Sequence, residues 1–344
     1  MNLSVSSISV GEPNGEQTVA FKGVRHGVHS AWGIRNAQER AQANIHRAEE
    51  AVIAAFLAKY DGAGNNPVPP RPPAPGEAPN ITVDLNMTSV SLLTPGYARH
   101  IYAKGSAKDE RRMLMEQNAA WDAVAQNGVE FQLRGWTIRV RPNILKFNFG
   151  VNEGAVNKFF RPTSNAFGGW DVSSRMNNAA FAALREDVDA FLNSEDNDAR
   201  TKTAVNTLFE QCRRALDARA ERRDAHGAFK VAARIAVLSN LMGKVPCWNC
   251  KSGKDRTGQM DVECKFLSTL IARGEAIPEP GARLTDAQKI LFRSIALEGG
   301  NFEIQKMNTA IAGFKTGSIN SVTERLGGSV YRQFHRGGSD HVNV

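Results

Sequence analysis

Four cysteines in 344 residues, at 212, 247, 250 and 264, are too few for a disulfide framework and suit a reducing compartment. No apolar run reaches the ~18 residues of a membrane span. The start of the chain is rich in Ser, Gly and Asn and has no apolar core segment, so no secretory signal peptide is expected. None of the seven histidines clusters near the Cys247-x-x-Cys250 pair, which leaves zinc short of ligands; neither metal nor cofactor is expected. An excess of acid is also missing. The 43 Lys and Arg outnumber 35 Asp and Glu, for a net charge of +8, and this predicts an anionic partner. The basic residues are spread out and no aromatic stacking motif accompanies them, which favours phosphorylated lipid or inositol phosphate and argues against nucleic acid.

Residues 1–20 are polar and read as disordered. From about Ser30 to Tyr60 a helical stripe of Ile34, Ala41, Ile45, Ala48, Val52 and Phe56 either packs on its own domain or offers a face to a partner. Half of the fourteen prolines lie between Pro67 and Pro79, so 61–80 reads as an extended surface loop or linker. A strand is expected at Ile81 to Leu93 and a helix capped by Ser106. A hairpin turns at Arg134-Gly135, and a further strand runs from Ile144 to Val151. Residues 161–174 read as a loop. Helices follow from about Asn177, Thr201 and Ala228, and another is capped by the Thr285/Gln288 box. The expected fold is α/β (or α+β), divided into 1–60 (polar segment and helix), 61–80 (linker), 81–326 (main domain) and 327–344 (mobile tail).

One stretch carries chemistry. Lys244 to Asn249 reads as a strand, Gln259 to Ala272 as a helix, and between them stands Cys250-Lys251-Ser252-Gly253-Lys254-Asp255-Arg256-Thr257-Gly258. In a tight strand-to-helix loop, backbone N–H groups and the helix N-terminus converge on one point that suits a phosphate. The same field favours thiolate over thiol at Cys250, making it a nucleophile. Arg256, five residues further on, can fork two phosphate oxygens. Gly253 allows the turn, and Thr257 offers a hydroxyl to help expel the thiolate. Ser252 and Gly258 complete the cradle, and Lys251 and Lys254 favour a substrate with several phosphates over a phosphotyrosine. A leaving alkoxide needs a proton donor. Asp255 is the first candidate and Asp171, beside Trp170, its rival. Arg25-His26-Gly27 has the look of a histidine-phosphatase tripeptide but lacks the second arginine, so a turn before a helix is the better reading.

These residues resemble the SopB/IpgD family of type III secreted inositol-phosphate phosphatases. Asn249 to Gly258 is similar to the family's catalytic motif, and Asn148-Phe149-Gly150-Val151-Asn152-Glu153 to its second motif. A looser match runs from Leu291 to Thr309, with Lys315 in a stretch shared with synaptojanin-type phosphatases. The resemblance implies a cysteine-phosphatase-like fold and substrate contacts at Asn152, Glu153 and Lys315. It further implies a bacterial effector injected into host cells that acts on phosphoinositides at host membranes, as phosphatase or phosphotransferase. Larger members carry a segment that binds a Rho-family GTPase, and residues 20–60 are the candidate counterpart.

Overall fold

The computed structural model of the chain describes residues 2–11, 15–60, 66–96, 109–151, 155, 168–223 and 228–309. Its centre is a six-stranded sheet in the order β1-β2-β6-β3-β5-β4. The strands are β1 (Leu3–Gly11), β2 (Gln17–Gly27), β3 (Asn80–Ser91), β4 (Val129–Leu133), β5 (Trp136–Asn148) and β6 (Val245–Cys250). The four inner strands run parallel, and β1 and β4 close the two edges antiparallel. Every residue of β6 is buried, as a parallel strand covered on both faces must be.

Helices α1 (Ala37–Tyr60) and α2 (Glu110–Asn127) cover one face of this sheet. Ala48, Ala51, Val52, Ala55 and Phe56 of α1 fall at 3- and 4-residue spacing and enter one core with Val83, Leu85, Met87, Ile138 and Val140. The other face carries α3 (Trp170–Asn193), α4 (Ala199–Asp217), α5 (Ala228–Leu241) and α6 (Asp255–Arg273). Helix α5 is buried nearly all round: Val231, Ile235, Ala236, Val237 and Leu238 have no exposed surface, and its Lys230 and Arg234 are buried too. Helices α7 (Asp286–Glu298) and α8 (Asn301–Thr309) follow, α7 starting at the expected Thr285/Gln288 capping box.

Several expectations are corrected. The N-terminal segment is not disordered: β1 and β2 are sheet strands. The serines of β1 pair through their backbone with β2, and buried Ser6 Oγ donates to Asp261 Oδ1 at 2.6 Å. The described part of 1–60 therefore shares its sheet and core with the later residues. Arg25-His26-Gly27 is no turn but the buried end of β2, with Arg25 Nη1 donating to Asn301 Oδ1 at 2.6 Å. Ile144 to Asn148 continues β5 and forms no separate strand, because it keeps register with Met87 to Ser91. Helix α2 is capped by Asp109, whose carboxylate accepts from the Arg112 N–H; Ser106 lies outside the described residues. Trp170 and Asp171 stand in the first turn of α3 and not in a loop. The described part of the proline-rich stretch lies along the β4–β5 hairpin: Trp136 Nε1 donates to Arg71 O at 2.9 Å, and Val68 is buried.

Candidate active site

The parallel strands β2, β6, β3 and β5 end together. Gly27 lies opposite Cys250, Ser91 opposite Asn249, and Asn148 opposite Ser91. Ligands of open parallel sheets bind outside such carboxyl ends, and here the Cys250–Gly258 loop leaves β6. Gly253 has φ +70, and a Cβ there would stand 2.8 Å from Gly27 N and 2.9 Å from His26 C and O, so only glycine fits. Two contacts hold the outer part of the loop: Val28 N–H donates to Lys251 O at 3.3 Å, and Asn2 Nδ2 donates to Ser252 O at 2.5 Å.

The thiol of Cys250 is singled out electrostatically. Burial pushes it up, but the Arg256 guanidinium and the backbone N–H groups of Thr257, Lys254 and Ser252 outweigh burial and hold it below the ordinary thiol range. Burial pushes Cys212 up to about 12 against the charge of Arg234, burial alone raises Cys247, and burial with the charges of Asp261 and Glu263 raises Cys264 against Lys265. Of the four buried cysteines, Cys250 is the one whose thiol is lowered.

Arg256 sits in the first turn of α6, and its fork is fixed from outside the loop. Nη1 donates to Leu92 O at 2.7 Å and to Glu110 Oε2 at 3.1 Å; Nη2 donates to Glu110 Oε1 at 2.8 Å. Burial works against the guanidinium charge, yet Glu110, Cys250 and Asp255 keep it firmly protonated. Glu110, the first residue of α2, also accepts the Thr94 N–H at 2.7 Å. Sequence reading missed Glu110. Acids are common in a helix's first turn, and nothing local marks this one as a partner of a residue 146 positions away.

The remaining candidates divide. Asp255 opens α6 inside the loop. The Thr257 hydroxyl donates to Lys254 O at 2.9 Å, closing the loop onto the helix, while its N–H faces the sulfur. Gly258 N–H donates to Lys254 O at 2.7 Å. The Lys251 ammonium stands 5.1 Å from the centre of the Trp32 ring. Asp171 pairs with Arg111 at 3.7 Å, and its neighbour Val172 packs with Val28 and Leu93. Arg111 follows Glu110 on α2, so this pair ties the start of α3 to the helix that carries the Arg256 clamp. Asn152, Glu153 and Lys315 lie outside the described residues. The described start of the second motif is a brace. Asn148 Nδ2 donates to Leu93 O at 3.1 Å, Ser173 Oγ donates to Asn148 Oδ1 at 2.6 Å, and Asn177 pairs with both backbone groups of Asn148 at 2.8 Å. It fixes the chain where it leaves β3, on either side of the Leu92 carbonyl that receives Arg256.

Fold and loop together place a cysteine-x5-arginine loop at the carboxyl edge of a doubly covered α/β sheet. The chain belongs to the family described as enterobacterial virulence protein IpgD, which matches residues 1–329. The inositol phosphate phosphatase SopB of Salmonella blockley is 31% identical, over 91% of this chain and 70% of that protein. The inositol phosphate phosphatase IpgD of Shigella sonnei is 32% identical, over 94% and 59% respectively. SopB of Salmonella typhimurium is 31% identical and is covered over 54% of its length, so the chain spans between about half and 70% of these relatives. Among solved structures, the Legionella phosphoinositide phosphatase SidF superposes with a TM-score of 0.63 at 11% identity, over 96% of this chain and 68% of that one. At that identity the likeness shows the fold alone.

Proposed function

We propose that the chain acts on inositol phosphates or phosphoinositides through a phosphocysteine at Cys250. The observation that carries this reading is the selective lowering of the Cys250 thiol among four buried cysteines, opposite an arginine clamped in place. The thiolate attacks phosphorus, forming the S–P bond as the P–O ester bond breaks. Arg256 and the loop amides bear the charge that develops on the phosphoryl oxygens. The leaving alkoxide takes a proton from Asp255 or Asp171. Water then releases phosphate, or a ring hydroxyl accepts the phosphoryl group, and either restores the thiolate. Lys251 and Lys254 add cations for further phosphates, and Asn152, Glu153 and Lys315 are assigned substrate contacts through the family resemblance. The relatives' names and the net positive charge support this substrate class.

The same reading makes the chain an effector delivered by a type III system, working at the periphery of host membranes; among the described residues no helix is long and apolar enough to span one. Binding of a Rho-family GTPase by 20–60 is the second reading. Ala48, Val52 and Phe56 of the α1 stripe are buried in the core, so such a partner would have to meet the other side of the helix.

The test follows a phosphoinositide panel by chromatography, scoring free phosphate and new lipid isomers for intact protein and Cys250→Ser. Phosphate release that the substitution abolishes supports a phosphatase. Conversion of one lipid to another without release supports a phosphotransferase. No change in any lipid would overturn the reading for these substrates.

A further inference from the structure

Helix α2 is tied to both ends of the stretch that runs from the nucleophile to its arginine. Its first residue, Glu110, takes both Arg256 nitrogens. Seven residues on, Gln117 Nε2 donates to Asn249 Oδ1 at 2.9 Å, and Asn249 is the residue before Cys250. Seven residues make two turns to within about 20°, so Glu110 and Gln117 share one face of the helix, about 10 Å apart along its axis. Gln117 is 1% exposed and Asn249 is fully buried. The chain itself sets which way the Gln117 amide points. The His29 N–H can only donate, and Gln117 Oε1 accepts it at 3.4 Å, which turns the NH2 toward Asn249. Among the described residues no other group bonds the Asn249 side chain.

We propose that Gln117 is a positioning residue for the reaction: by holding Asn249 while Glu110 holds Arg256, it lets α2 set where the Cys250 sulfur stands relative to the guanidinium. The inference rests on the proposed function, because that placement matters only if sulfur and guanidinium act on one phosphate. Successive side chains of a strand point to opposite faces. Asn249 turns toward α2, and Cys250 away from it into the core on the α6 side. Fixing the Asn249 side chain therefore fixes the roll of β6 about its axis, and with it the direction of Cys250 Sγ. The Leu92 backbone joins the same two ends, its N–H donating to Asn249 O at 2.8 Å and its carbonyl accepting from Arg256. That bridge holds the main chain of β6 and leaves the roll of the strand to the side-chain bond. Without Gln117, Asn249 Oδ1 and the His29 N–H are buried with a partner missing, and such groups shift to find another. Gln117 acts through Asn249 and takes no part in bond breaking.

The experiment measures kcat and KM for p-nitrophenyl phosphate and for dioctanoyl phosphatidylinositol phosphates, in the full chain and in Gln117→Leu, which keeps the bulk and removes both bonds. In parallel, the pH dependence of Cys250 alkylation by iodoacetamide, followed by peptide mass spectrometry, reads the thiol without turnover. The expected result is a fall in kcat of about tenfold on both probes alike. The alkylation midpoint should move to higher pH, as the sulfur loses its place beside Arg256. Gln117→Glu should recover both readouts. Protonated, it donates to Asn249 Oδ1; ionised, it accepts from Asn249 Nδ2; in either state it accepts the His29 N–H. If Gln117→Leu fails to fold, Gln117→Asn, an amide one methylene too short to reach both partners, carries the same comparison. A normal kcat and midpoint in Gln117→Leu would overturn the proposal and leave the Leu92 bridge sufficient. So would a kcat that falls only with the amount of folded protein while the midpoint stays, or a Gln117→Glu protein that recovers neither readout. If the wild-type chain turns over none of the probes, the functional reading itself fails, and the alkylation midpoints still decide the role of Gln117.

Discussion

The two flanks of the Cys250–Gly258 loop are built from opposite materials. Toward β2 the loop rests on a neutral, fully buried wall. His26 and His29 have ring centres 4.5 Å apart, and Trp121 lies 4.5 Å from His29. Toward α2 it meets full charges, the Arg256–Glu110 pair at 2.8 Å. The neutral wall fixes where the backbone goes, and the charged flank fixes where the field points. Damage to the first should therefore read out in stability, and damage to the second in catalysis.

The sharpest way to break the neutral flank is Gly253→Ala. Its Cβ would sit 2.8 Å from Gly27 N at φ +70, and the atoms it meets are backbone with nowhere to move. Left-handed strain and overpacking together should cost about 4 kcal/mol. Chemical denaturation measures it, with loss of phosphate release alongside. A well-folded, active Gly253→Ala protein would mean that the loop does not rest on β2.

A milder break uses acid. Burial lowers His26 from 6.5 to about 4, and burial together with the charges of His26 and Arg47 lowers His29 well below its ordinary value. His26 Nδ1–H donates to Gly27 O at 2.8 Å, so the neutral ring is tied to the strand end that faces Cys250. The folded state therefore binds fewer protons than the unfolded state between pH 6.5 and about 4. Stability is full above pH 6.5 and falls as pH drops through that window, by about 3 kcal/mol for His26 alone. Denaturation midpoints at pH 7.5, 6 and 4.5 check this against His26→Asn. Equal slopes for the two proteins would remove His26 from the account.

The contrast between flanks also explains what could be read from the sequence. The loop was legible because its strand, turn glycine, cysteine, arginine and helix start are contiguous, and the chemistry imposes their spacing. Strands β3 and β6 and the buried residues of the α1 stripe were legible because burial writes periodicity, and the capping box because Thr285 and Gln288 stand at the spacing it requires. The clamp was not, because Glu110 reaches Arg256 only once β3 and β6 have paired, and a first-turn glutamate looks the same whether it faces solvent or an arginine. The β1–β2 pair was misread for a related reason. Polar serines in an edge strand are satisfied by the ladder and by Asp261, partners invisible from within the segment. Asp171 was placed in a loop because glycines precede it, although Gly169 is the residue that starts α3, with φ 66.

The charged flank is tested most finely by Glu110→Gln, which alters one atom. Two carboxylate oxygens take both Arg256 nitrogens and the Thr94 N–H, and each of these three groups is a donor. A glutamine has one carbonyl oxygen and turns its NH2 toward one of those donors, and the guanidinium must shift or lose a bond. The thiolate keeps its loop amides, so the nucleophile should survive while the arginine fork is misaimed. The expected loss in kcat is about 30-fold, or about 2 kcal/mol of barrier. Glu110→Asp should recover part of it, since the charge remains and only reach is lost. Removing the carboxylate charge also leaves Arg256 acting on Cys250 with less opposition, so the acidic limb of the pH–rate profile should move to lower pH. A merely structural glutamate would lower the amount of folded protein and leave that limb in place. A normal kcat with an unshifted profile would mean that Leu92 O and the loop alone hold the arginine.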